Sequence, residues 1–199
     1  MKIAIVGLGY VGLPLAIQFA KSGANIVGLD VDQVKVDSIN KGESYIKHIS
    51  SEDLLSQIEC GRIEASTNFT RIREVEAVLI CVPTPLNKDR EPDLSYVLST
   101  AENIAPHLPK GILVSLESTT YPGTTEDDLK PVLESGSALK AGVDFHLVYS
   151  PEREDPGNPK SQVAKIPKVI GGLTEECLIK GQKVYSIAID TLVPVSSCR

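Results

Sequence analysis

The sequence predicts an α/β fold, a doubly wound and mostly parallel sheet with helices on both faces. Three observations predict it. Short β-branched apolar runs alternate with segments of helical period along the whole chain. The runs are continuously apolar, as strands covered on both faces must be. The two longest aperiodic stretches, 83–93 and 150–166, each follow the C-terminal end of a strand, the side on which open α/β sheets bind ligands.

The elements follow in order. Residues 2–6 form the first strand, which ends at a glycine-rich turn. Residues 11–21 carry Val11, Leu15, Ala16, Phe19 and Ala20 at helical spacing, and Ser22-Gly23 stops the helix. Residues 25–29 are the next strand, closing on Asp30, and 32–40 read as a helix ended by Lys41-Gly42. Ser50 or Ser51 is placed to cap a helix over 52–59. Strand 77–81 is broken by Pro83-Thr84-Pro85, and helix 94–105 precedes strand 112–116. A helix over 124–133 follows, with Thr124 as its cap. Strand 145–149 ends at Ser150-Pro151. Strand 168–170, helix 175–186 and strand 191–195 complete the series.

Composition narrows the function classes. With 199 residues, 42% hydrophobic and 23% charged, the chain has the balance of one soluble domain rather than a disordered or fibrous segment. A net charge of −6 without a basic block argues against nucleic acid as a partner. No apolar run approaches the ~18 residues that a membrane span needs, so no membrane role is expected. The start, Met1-Lys2 and then Ile3 to Gly7, is punctuated too early for a signal peptide. Cys60, Cys81, Cys177 and Cys198 form no CxxC pair, and His48, His107 and His146 stand far apart. Reduced thiols, a cytoplasmic setting and no metal site are expected.

Gly7-Leu8-Gly9-Tyr10-Val11-Gly12 is a G-x-G-x-x-G turn between a predicted strand and a predicted helix, the context that gives the pattern meaning. Gly7 permits the tight turn, Gly9 lets a pyrophosphate approach the backbone, and Gly12 allows close packing. The N–H groups around Tyr10 and Val11 at the helix start attract phosphate. Asp30 stands some 20 residues further on, at the end of the second strand, where a carboxylate accepts both hydroxyls of a ribose and repels a 2′-phosphate. NAD rather than NADP is the expected cofactor. Lys35 either touches the ribose edge or is a solvated lysine.

Four segments occur in order: Val6 to Pro14 (VGLGYVGLP), Cys81 to Pro85 (CVPTP), Glu117 to Thr125 (ESTTYPGTT) and Tyr149 to Arg153 (YSPER). Together they resemble the nucleotide-sugar 6-dehydrogenase family, which oxidises UDP-glucose, UDP-N-acetylhexosamines or GDP-mannose. ESTTYPGTT and the stretch SPEREDPGN look most like the UDP-N-acetylglucosamine members, with the UDP-N-acetylmannosamine members next. The resemblance implies a Rossmann-type NAD-binding domain over 1–199. It also implies a four-electron oxidation of the sugar C6 alcohol to a carboxylate with two NAD per turnover, through an aldehyde and a cysteine thioester.

By that resemblance Val82, Pro83 and Thr84 lie along the cofactor's adenosine and phosphates, and Ser118 and Thr119 stand near the nicotinamide. Thr119 would position water or substrate, because a neutral hydroxyl is too weak a base to act unaided. Glu152 matches the glutamate that manages water during thioester hydrolysis. Arg153 would meet the substrate or pair with Glu154. Helix capping is the plain alternative for Ser118 and Thr119, and a solvated carboxylate for Glu152. The UDP-glucose members carry a second glutamate four residues on, where this chain has Pro156.

The family's Gly-Gly-His-Cys segment and its central-helix lysine and asparagine have no match here. Cys198 lacks that context, and Cys81 reads as a small core residue. The chain is therefore expected to be the cofactor domain of a larger dehydrogenase, a homodimer or higher oligomer, binding NAD without turning over alone. The alternatives are a stand-alone NAD-binding sensor module, a UDP-glucose enzyme, or a relative of the 6-phosphogluconate and 3-hydroxyacid dehydrogenases.

Overall fold

The computed structural model describes residues 1–47, 49–88, 90–152 and 166–199. Along the chain run β1 (Lys2–Val6), α1 (Gly12–Lys21), β2 (Asn25–Leu29), α2 (Gln33–Asn40), α3 (Ser51–Glu59), β3 (Ile63–Ser66), β4 (Ala77–Ile80) and α4 (Ser95–Ile104). They are followed by β5 (Leu113–Leu116), α5 (Lys130–Ser137), β6 (His146–Tyr149), β7 (Lys168–Gly172), α6 (Glu175–Tyr185) and β8 (Leu192–Val195). The eight strands described form one sheet in the order β3-β2-β1-β4-β5-β6-β7-β8. All pairings are parallel except β6 with β7.

The strand pleat sends successive side chains to opposite faces. Ile3 and Ile5 of β1 enter one core with Leu13, Phe19, Leu54 and Tyr185. Ala4 and Val6 enter the other with Val97, Ile104, Leu129 and Leu133. The expected doubly wound sheet is thus present, with α1, α3 and α6 on one face and α4 and α5 on the other. β1 pairs with both β2 and β4, so the winding reverses between β1 and β4, and a crevice opens beyond their C-terminal ends.

Two local expectations need correction. β3 was not foreseen. Its alternation is short and includes Glu64 and Ser66, and it becomes a strand through its pairing with β2, Ile26 against Ile63. Thr124 does not cap a helix. Gly123, at φ 101°, stands at the N-terminus of a wide helical turn over Thr124–Leu129 that leads into α5, and the Thr124 hydroxyl donates back to the Tyr121 carbonyl at 2.9 Å. At α3 it is Ser50 that caps, its Oγ accepting the Glu52 N–H.

Candidate functional site

The glycine turn lies at the mouth of the crevice, and its three glycines are required for three different reasons. Gly7 adopts φ +90°, and a Cβ there would stand 2.9 Å from the Cys81 carbonyl oxygen. A Cβ on Gly12 would fall 1.9 Å from the Gly7 carbonyl oxygen, so helix and turn meet backbone to backbone. A Cβ on Gly9 meets nothing within 4 Å. That side of the turn is open, as the approach of a diphosphate requires. Tyr10 is exposed and Val11 half-buried. Val11 is the N-cap of α1 and offers no side-chain cap. The Leu13 N–H already donates to the Gly9 carbonyl at 3.1 Å and Pro14 has no N–H, so in the first turn it is the Gly12 N–H that an anion can meet.

Asp30 is 6% exposed at the end of β2. Its Oδ2 accepts the Leu8 N–H at 2.8 Å, and its Oδ1 accepts the Asp32 N–H at 3.0 Å. A carboxylate has about four acceptor sites, so two remain for a vicinal diol. The Lys35 ammonium lies 3.5 Å from Asp30 Oδ2, which resolves the lysine as a partner of that carboxylate. Tyr45, from the segment between α2 and α3, donates its hydroxyl to the Leu8 carbonyl. Nothing in the sequence pattern singled out Tyr45.

The exits of β4 and β5 are tied together. The Ser118 hydroxyl donates to the Val82 carbonyl at 2.7 Å, and the Thr84 hydroxyl donates to the Thr119 carbonyl at 2.7 Å. Among the described residues neither Ser118 nor Thr119 caps a helix; Gly123 stands at the N-terminus of the next helical turn. The bonds clasp Val82, Pro83 and Thr84 to the Ser118–Thr119 turn across the sheet end. Thr119 is exposed there, and Glu152, at the exit of β6, is half-buried. Arg153 lies outside the described residues, as does most of the loop 150–166.

Directly beneath this end of the sheet is a charged cluster that sequence reasoning missed. Glu117, 1% exposed, precedes Ser118. Its Oε2 receives the Lys168 ammonium from β7 at 2.6 Å, and its Oε1 receives the Tyr185 hydroxyl from α6. Tyr185 spends its one proton on Glu117, so the Ser115 hydroxyl, 2.7 Å away, must donate to Tyr185. Lys168 also stands 5.4 Å over the Tyr185 ring. In isolation, a glutamate beside a serine and a lysine opening a strand read as surface residues.

Burial pushes the Glu117 carboxyl up to about 7; the Lys168 cation draws it back and the Glu152 charge adds to the rise. Burial presses Lys168 the other way, but Glu117 and Glu152 outweigh it and hold the ammonium above its usual range. A carboxyl whose folded pKa is raised contributes stability that is fully present below about pH 4.5 and is lost as pH rises through about 7. Thermal melts of the wild type and Glu117→Gln across pH 4.5–8 should show the wild type losing stability relative to the variant as pH rises. Parallel melting curves would remove this assignment.

Among the described residues the other cysteines and metal-ligating groups add no second centre. Cys81 and Cys177 are buried, Cys60 is exposed, and all are reduced. Cys198 is buried, and burial together with the neighbouring Glu126 pushes its thiol up to about 12, which leaves too little thiolate for a nucleophile. Among the described residues no group of three His, Cys, Asp or Glu could hold a metal ion, and no helix is long and apolar enough to cross a membrane.

A mostly parallel doubly wound sheet, a glycine turn with one open side and a strand-end aspartate beside it define a Rossmann-type dinucleotide-binding domain. Residues 1–189 match the family model described as "UDP-glucose/GDP-mannose dehydrogenase family, NAD binding domain", and the chain belongs to that family. It is 39% identical over 207 aligned residues to the UDP-N-acetyl-D-mannosamine dehydrogenase of Escherichia coli K12, covering 99% of this chain and 48% of that protein. It is 38% identical over 176 residues to the UDP-N-acetyl-D-glucosamine 6-dehydrogenase of Pseudomonas aeruginosa, covering 88% and 41%. The solved structure of the UDP-D-ManNAc dehydrogenase of Pyrococcus horikoshii superimposes with a TM-score of 0.92 at 34% identity, over all of this chain and 47% of that one. The chain therefore spans about half the length of the curated relatives it matches.

Proposed function

We propose that this chain is the NAD-binding part of a nucleotide-sugar 6-dehydrogenase that oxidises the C6 alcohol of a UDP-N-acetylhexosamine, UDP-GlcNAc or UDP-ManNAc, to the uronate. The observation that carries the reading is the clasp of the β4 and β5 exits, which holds Thr119 at the same end of the sheet as the glycine turn. The names of the relatives support the substrate class. Bound NAD supplies a hydride acceptor; over the full oxidation two hydrides leave C6 for two NAD, one water oxygen is added, and protons are released to solvent.

In this reading the backbone of Gly7, Gly9, Tyr10, Val11 and Gly12 holds the diphosphate. Asp30, steadied by Lys35, takes the adenosine ribose. Val82, Pro83, Thr84 and Ser118 wall the cofactor. Thr119 orients a water or a substrate hydroxyl, Glu152 manages water at C6, and Arg153 meets the substrate. The chain spans about half the length of the curated relatives, and we assign turnover to a protein of their length, a homodimer or higher oligomer, in which this domain binds the cofactor. The reduced thiols support a cytoplasmic setting.

Calorimetric titration tests the cofactor assignment. The chain should bind NAD and discriminate against NADP; failure to bind NAD, or a preference for NADP, overturns it. Asp30→Ala should cut the NAD-over-NADP preference by about tenfold or more, since hydrogen bonds to a charged group are worth about 1.5–3 kcal/mol. An unchanged ratio would remove Asp30 from the ribose. Assaying the product of the complete gene for NADH formation with UDP-GlcNAc, UDP-ManNAc and UDP-glucose tests the substrate class. NAD binding without oxidation of any of them would favour a binding module instead.

A further inference from the structure

Leu8, between the first two glycines of the turn, has both of its peptide planes gripped. Its side chain is buried, and a Cβ on Gly28 of β2 would come within 3.0 Å of both Leu8 δ-carbons, so the residue cannot rock toward the sheet. Its N–H donates to Asp30 Oδ2 at 2.8 Å. Its carbonyl accepts the Tyr45 hydroxyl. A trans peptide is planar, with C=O and N–H pointing in opposite directions. Holding the Leu8 carbonyl therefore fixes the direction of the Gly9 N–H. Among the described residues that N–H has no backbone acceptor, and Gly9 faces open space where its Cβ would stand.

Tyr45 is itself firmly placed. Ile46, next to it, is 3% exposed in the core. Ser44 N–H donates to Ser51 Oγ of α3 at 3.0 Å, and Ser44 Oγ donates to the Ile46 carbonyl at 3.2 Å. Burial, with Asp30 and Asp32 nearby, raises the phenol above its ordinary range, so it stays a neutral donor. The residue as a whole is 37% exposed.

We propose that Tyr45 is a positioning residue of the diphosphate site, its hydroxyl fixing the Leu8–Gly9 peptide plane and so aiming the Gly9 N–H at a phosphate oxygen of the ligand. The proposal rests on the NAD reading above and goes beyond it, because Tyr45 belongs to no part of the glycine motif. A residue that aims a phosphate donor matters to ligands with a diphosphate and is neutral for a nucleoside. A residue that merely walls the adenosine would affect both alike.

The test compares the chain with Tyr45→Phe, which keeps the ring and deletes only the donor. NAD, ADP-ribose and ADP are titrated by calorimetry, adenosine by NMR line broadening, and both proteins are melted. The variant is expected to bind the three diphosphates about tenfold more weakly, the scale of one lost hydrogen bond. Adenosine binding should be unchanged and the melting temperature should move little. In the ligand-free chain the Gly9 amide resonance should shift, a signature that needs no NAD. Equal diphosphate affinities with an unmoved Gly9 amide overturn the proposal alone. An equal loss for adenosine also overturns it, and assigns Tyr45 to the adenosine wall. If the wild type binds no diphosphate, the cofactor reading fails and the proposal falls with it, whatever the Gly9 amide does.

Discussion

Gly12→Ala is expected to abolish measurable NAD binding and to destabilise the fold, although alanine is the better helix former by about 1 kcal/mol. The added Cβ would lie 1.9 Å from the Gly7 carbonyl oxygen, a backbone atom that cannot swing aside. Relief requires α1 to lift off the turn. That pulls on Gly7, whose N–H is held by the Leu29 carbonyl at 2.8 Å and whose own open face is filled by the Cys81 carbonyl. The stability loss should reach the upper end of the ~1–3 kcal/mol typical of overpacking, and NAD affinity should fall by more than about a hundredfold, since every phosphate donor in the turn moves. Gly9→Ala is the contrast. Its methyl meets no protein atom within 4 Å, so the melting temperature should hold while NAD affinity drops. Calorimetry and thermal melts on the two variants separate the roles; a Gly12→Ala chain that binds NAD like the wild type would contradict the account of the turn.

Lys168→Met should cost about 3–5 kcal/mol at pH 8, the range for removing one partner of a buried ion pair. Methionine fills much of the volume but leaves the Glu117 carboxylate, among the described residues, with the Tyr185 hydroxyl as its remaining donor. The loss should shrink at pH 5, where a protonated Glu117 no longer needs a cation, since burial already holds its carboxyl near 7. Adding Glu117→Gln should restore much of the stability, and the double-mutant cycle isolates the coupling. Denaturant unfolding at the two pH values reads this directly. A loss under about 1 kcal/mol, the same at both pH values, would show that the pair contributes only as a surface bridge does.

The glycine turn was legible because its chemistry is local. A positive φ, a close backbone approach and a helix start lie within six residues, and the order strand, turn, helix says what they are for. Asp30 was legible for the same reason, at a strand end a set distance on. The strands of the sheet interior announced themselves as apolar runs because both faces are covered. β3 did not, since an edge strand with Glu64 and Ser66 becomes a strand only through pairing with β2. Thr124 has the chemistry of a cap, but Gly123 at φ 101° took the chain through a different turn.

Sequence alone thus settled the architecture and the geometry of the glycine turn, because short-range sterics and hydrophobic period are written into neighbouring residues. Only the folded arrangement decided that Glu117, Lys168 and Tyr185, separated by up to 68 residues, share one buried charge. It likewise decided that the β4 and β5 exits are clasped, through Ser118 with Val82 and Thr84 with Thr119, and that Tyr45 reaches the Leu8 carbonyl. The physical reason is that a polar side chain acquires its energy from what surrounds it. Neither the desolvation of a carboxylate nor the partner of a hydroxyl exists until parallel strands have taken their register and brought distant chain segments to the same end of the sheet.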